Sequence, residues 1–124
     1  MELLIDTRWL LEIAEHHLPD DPQVTDWGAF EAARARHAAE VMGRLVYDQP
    51  HHRAAALLHS LVRVPSLESG NELLAASVAV GYLHASGRPV RVSTEAAADL
   101  VERAGRGLDV RAIAAELKAW TDRD

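Results

Sequence analysis

A chain of 124 residues, 48% of them hydrophobic and mostly alanine and leucine, has room for one helical core burying roughly two-thirds of its unfolded surface, and too little for two. Its formal charge of −6 repels nucleic-acid backbones, the absence of cysteine removes disulfides and thiolate metal sites, and no run approaches the ~20 apolar residues of a membrane span. Glu2, Asp6 and Arg8 interrupt the first apolar residues before a signal-peptide core can form, so the expectation is one cytoplasmic domain over residues 1–124 that binds neither nucleic acid nor membrane.

Asp6 or Thr7 is placed to cap a first helix, in which Leu10, Ile13, Ala14, His17 and Leu18 recur at three- and four-residue spacing and share one face. Pro19, Asp20, Asp21 and Pro22 end it. Thr25 or Asp26 opens a second helix with the stripe Phe30, Ala33, His37, Val41 and Leu45; its Arg34, Arg36 and Arg44 read as a solvated face. Pro50 suits the first turn of a third helix, to about Arg63, that turns Ala54, Leu57, Leu58, Leu61 and Val62 inward.

After the loop VPSLESG, a fourth helix from about Asn71 to Ser86 is apolar nearly all round and stops at Gly87 and Pro89, which makes it the expected buried central helix. Val90 to Val92 read as an extended link. Ser93 or Thr94 caps a fifth helix to about Ala104, Gly105 and Gly107 break the pattern, and Asp109 starts a last helix ending near Trp120. The pattern predicts a compact all-α domain of six helices.

The stretches AAALLHSLVRV, LLAASVAVGYLHASG, STEAAADLVERAGRG and DVRAIAAELKAW, with a loop centred on Gly70-Asn71, resemble the Fic/Doc (Fido) family and within it the short Doc, or death-on-curing, toxins. The resemblance spans nearly the whole chain and is strongest from Ala54 to Trp120. It implies a six-helix Fic/Doc-like fold and transfer of AMP, or in Doc-type proteins a phosphate, from ATP to a protein hydroxyl. It also implies an antitoxin encoded alongside.

The family motif runs His-Pro-Phe-x-Asp/Glu-Gly-Asn-Gly/Lys-Arg. In it the histidine takes the proton of the target hydroxyl, the acid holds Mg²⁺, the loop amides form an anion nest, and the arginine neutralises phosphate charge. Anchored on Gly70 and Asn71, the histidine position falls on Pro65, the phenylalanine on Leu67, the acid on Ser69, the lysine on Glu72 and the arginine on Leu73. A shift by one residue brings Glu68 to the acid position but puts Val64 at the base. Loss of a general base costs about 10²–10⁴-fold, and loss of charge stabilisation about as much again, so the resemblance points to a pseudoenzyme.

The remaining candidates are few. Glu68, Ser69, Gly70 and Asn71 form the candidate anion or ligand loop, and His59, six positions before Pro65, is a possible substitute base, although filling space between apolar neighbours is its more ordinary role. The pairs His16-His17 and His51-His52 point about 100° apart on a helix and do not suit one metal ion. Trp9, Trp27 and Trp120 read as core or rim packing. The favoured function is a catalytically degenerate binding module that takes a protein or peptide partner, an antitoxin-like one among the candidates, in the family's groove without a cofactor. The alternative is a divergent transferase using ATP-Mg²⁺, with Glu68, Ser69, Asn71 and His59 in new roles.

Overall fold

The computed structural model describes residues 2–121. Six helices run in chain order: α1 (Thr7–His17), α2 (Trp27–His37), α3 (Pro50–Arg63), α4 (Asn71–Ala85), α5 (Thr94–Gly105) and α6 (Val110–Thr121). Four of them start where a short polar side chain takes the amide three residues on. Asp6 accepts from Trp9 N at 2.9 Å, Asp26 from Ala29 N at 2.9 Å, Ser93 from Ala96 N at 3.1 Å and Asp109 from Ala112 N at 2.9 Å. Each satisfies an amide the helix cannot, a contribution of about 0.5–2 kcal/mol, which explains why these boundaries follow the sequence closely. Among the described residues no helix is long and apolar enough to cross a membrane.

The second helix is shorter than its stripe predicts. α2 ends at His37, and Val41 and Leu45 belong instead to a small antiparallel hairpin, β1 (Glu40–Val41) paired with β2 (Arg44–Leu45). The cause is the tip: Met42 and Gly43 both adopt positive φ, 53° and 79°, the geometry of a tight two-residue turn that no helix contains. Met42 is 98% exposed there. The expected arginine face also dissolves. Arg34 pairs with Glu31 at 2.6 Å, Arg44 lies on β2, and Arg36 is half-buried against Tyr47, His59 and Ser60.

One hydrophobic cluster joins residues from Ile5 to Leu117. α4 is buried as expected, with Leu74, Ala75, Val78, Ala79, Tyr82 and Leu83 all inside. It shares the centre with α3, which packs against α2, α4, α5 and α6 while α4 also carries α1. His17, expected on the inner face of α1, is exposed; Val62, Trp9 and Trp120 are half-buried, and Trp27 is 55% exposed with its edge against Phe30.

The segment before α1 is strapped across this core. Ile5 N donates to His37 Nε2 at 3.0 Å, and the Tyr82 hydroxyl donates to the Leu3 carbonyl. Arg53, only 2% exposed, holds Tyr82 in place through its Nε at 2.6 Å and reaches the Tyr47 carbonyl through Nη1 at 2.9 Å. His37 Nδ1 faces the Arg34 carbonyl, so Nδ1 carries the proton and Nε2 accepts. Burial, ahead of the smaller repulsion from Arg34 and Arg53, holds the His37 pKa below the ordinary histidine value.

A depressed histidine pKa means that the unfolded chain takes up a proton before the folded one does. The His37 contribution is therefore complete above the ordinary value of about 6.5 and is lost as pH falls from there toward the lower folded pKa. Urea midpoints are expected to be level between pH 8 and 7 and to decline on acidification below about pH 6.5, and His37→Gln should flatten that decline. A midpoint independent of pH from 7 to 5 in the parent chain would contradict a neutral, buried His37.

Candidate functional site

The loop between α3 and α4 turns on Gly70. Its φ is +76°, a conformation that favours glycine, and a Cβ at that position would stand 2.9 Å from Leu18 Cδ2, so the Leu18 side chain would have to shift to admit it. Gly70 then heads α4, whose first helical bond runs from Leu74 N to Gly70 O at 2.9 Å, leaving the preceding amides at the positive end of the helix dipole.

Asn71 is committed to the loop itself. Its Oδ1 accepts from Ser66 N at 3.1 Å and Leu67 N at 2.9 Å, while its Nδ2 donates to Leu67 O at 3.0 Å. Glu68 is committed to the connection between α1 and α2: its amide donates to Gln23 O at 3.0 Å and its carboxylate accepts from Gln23 N at 2.7 Å. Ser66 O takes the amides of Thr25 at 2.8 Å and Asp26 at 3.1 Å, and Leu67 bridges to Val24. Of the four candidate loop residues, only Ser69 is exposed with no side-chain bond, and Pro65 is exposed as well.

Removing the Asn71 side chain leaves two amides of this half-buried loop without an acceptor. Asn71→Ala is expected to cost about 1–3 kcal/mol in chemical denaturation. Asn71→Asp, which keeps the acceptor and loses only the donor, should cost less. Equal stability of Asn71→Ala and the parent would show that the amides find water instead.

Beside the loop, the first turn of α4 opens onto a recess of about 350 Å³ between α4 and α5, walled by Leu73, Ala76, Ala97 and Val101 with Glu72 and Glu102 at its sides. No Lys, Arg or His lines it. A second recess of about 510 Å³ shares Leu73, Ala76, Thr94 and Ala97 with the first and continues past Val80 and Val92 to His17 and His84. Together they form an apolar trough along the outer side of α4, with Leu73 47% exposed at its mouth.

His59 is elsewhere. It lines a cleft between α2 and α3 with Arg36, Ser60, Arg63 and Val64, and lines neither recess of the trough. Its Nδ1 accepts from Arg36 Nη1 at 2.8 Å; burial first, then the charges of Arg36 and Arg63, depress its pKa, with Asp109 opposing them more weakly. Arg36 was legible only as a polar position on α2. Its place one residue before the buried His37 and three after the buried Ala33, on the shoulder of the inner face, is the signal that could have marked it.

The chain is 40% identical over 101 residues to the toxin Doc of Mycolicibacterium smegmatis, a match covering 79% of this chain and 78% of that protein. The chain belongs to the Doc toxin family. No known protein-family profile matches it. Within the Doc family assignment, the Gly70-Asn71 turn, the helix it opens and the trough beside that helix are the parts of the molecule where the motif residues of the resemblance converge: Glu72 and Leu73 line the trough, and Pro65 and Ser69 lie on the loop before it. Among the described residues no three His, Cys, Asp or Glu side chains gather in one place.

Proposed function

We propose that this Doc-family chain is a catalytically degenerate member, a pseudoenzyme that works in the cytoplasm as a binding module for a protein partner of the antitoxin type, seated along the α4–α5 trough and requiring no cofactor. One observation carries the proposal: where a nucleotide phosphate would approach the start of α4, the chain presents Glu72 and Leu73 to a recess lined by no cation. The helix dipole attracts an anion by about 0.3–1 kcal/mol, and a carboxylate on the same turn repels it by a similar amount. What remains is a largely apolar channel bordered by two glutamates, which suits an amphipathic helix carrying basic residues better than ATP.

The transferase alternative would require Glu68, Asn71 and His59 to leave the partners that now hold them. Calorimetry is expected to find ATP-Mg²⁺ binding no tighter than millimolar, and labelled ATP is expected to pass neither phosphate nor AMP to any protein of a cell lysate. Micromolar ATP affinity, or any such label, would reverse the choice. A small protein encoded beside this chain, co-purifying with it and losing affinity on Leu73→Arg, is the positive result.

A further inference from the structure

Residues 2–5 lie outside every helix and strand, and α1 begins at Thr7 on its own Asp6 cap, so nothing before Asp6 supplies a helical bond. Among the described residues two hydrogen bonds tie this strap to the helices. Ile5 N donates to His37 Nε2 at 3.0 Å, across 32 positions, and the Tyr82 hydroxyl donates to the Leu3 carbonyl, across 79. The Ile5 side chain, 6% exposed, is the apolar part of the attachment. The strap therefore depends on one ring nitrogen of a wholly buried histidine, and that nitrogen holds it only while it carries no proton.

From this geometry we infer that His37 is a proton-controlled latch, whose protonation releases residues 2–5 while the six helices stay folded. The Nδ1 proton is committed to the Arg34 carbonyl, so a second proton has only Nε2 to take, the atom that accepts from Ile5. Once protonated, Nε2 is a donor facing the Ile5 donor, and the strap loses one of its two bonds. The groups around the ring give the new charge no partner. Arg34 on its own helix and Arg53 from α3 are both positive, although Glu31 pairs with Arg34 at 2.6 Å; Tyr82 from α4 presents its ring edge-on at 5.9 Å. Asp6, at the end of the strap, acts on Arg34 rather than on the ring, and no carboxylate bonds to His37 among the described residues. Proton and strap thus exclude each other, and the ratio of released to attached strap should rise about tenfold per pH unit below the ordinary histidine value of about 6.5. Release takes Glu2 and Leu4 from the wall of a recess of about 560 Å³ that they share with Glu40, Arg44 and Asp48, so pH sets the surface presented beside the β1–β2 hairpin. The latch is separate from the start of α4, and its test does not depend on the pseudoenzyme proposal.

NMR of the full chain between pH 8 and pH 5 tests this, following the His37 ring nitrogens, the Ile5 amide and the heteronuclear NOEs of residues 2–5 together. The NOEs are expected to fall, and the Ile5 amide proton to move upfield, with the same midpoint as protonation of Nε2, while the amides of the buried Leu57, Leu74 and Leu117 keep their dispersion. Ile5→Pro removes the donor and leaves the ring in place. That variant should show a loose strap already at pH 7.5 and a His37 midpoint raised toward the ordinary value of about 6.5, because the proton then meets no competitor. Strap NOEs that stay high after His37 protonates, protonation that occurs only as all amides lose dispersion together, or an unchanged His37 midpoint in folded Ile5→Pro would each overturn the latch.

Discussion

Leu74→Ala is expected to destabilise the fold by about 2–5 kcal/mol, the usual cost of cutting a fully buried leucine to alanine when the surroundings cannot close the cavity. Leu74 has no exposed surface, sits in the first turn of α4, and belongs to the same cluster as Leu57, Leu58 and Leu61 of α3. Both helices are anchored on several sides, α3 by four partners and α4 by three, so neither can slide to fill the hole. The control lies one residue earlier. Leu73→Ala removes a side chain that is 47% exposed and should change stability by no more than about 0.5 kcal/mol. Urea midpoints that fail to separate the two variants would mean that α4 is rotated from the orientation described.

Installing the family motif is the second large effect. The variant Pro65→His, Ser69→Asp, Glu72→Lys and Leu73→Arg changes only exposed positions, so it should fold. The cost of a lysine on the first turn of α4 is about 0.3–1 kcal/mol through the helix dipole. At the recess it replaces one negative charge by two positive ones, and in a partly solvated site that difference should strengthen ATP-Mg²⁺ binding by about 2–3 kcal/mol, roughly 30- to 150-fold in Kd. The new aspartate makes the gain depend on Mg²⁺, because without the ion it adds repulsion; chelation should remove much of the improvement. The same Leu73→Arg change obstructs the mouth of the trough, so a partner seated there should be lost as nucleotide is gained. A folded variant with unchanged ATP affinity would show that the loop does not carry the family's phosphate geometry in this register.

The caps and helices were open to inspection in the sequence. Asp6, Asp26, Ser93 and Asp109 each bond an amide three residues away, Pro50 occupies a first helical turn, and the apolar spacing of α1, α3, α5 and α6 repeats within each helix. These are local interactions, and local chemistry can be read along a chain. The extension of α2 to Leu45 failed because Met42-Gly43 lacks the Asn-Gly or Asp-Gly signature of a two-residue turn, while Val41 and Leu45 happen to continue a helical spacing.

Only the tertiary structure shows which partners the candidate site residues meet. Glu68 meets Gln23 across 45 positions, and Arg36 meets His59 across 23. The first contact ties the Glu68 carboxylate to the connection between α1 and α2, and the second holds the His59 ring beside Arg36 in the α2–α3 cleft. Asn71 needs only a span of five residues, yet its role also depends on the path of the loop, which Gly70 bends beneath Leu18 and the α1–α2 connection ties down. A sequence shows which donors, acceptors and charges a chain possesses; which of them remain free is settled only when distant segments pack and satisfy one another, because a buried polar group takes the nearest partner the fold provides.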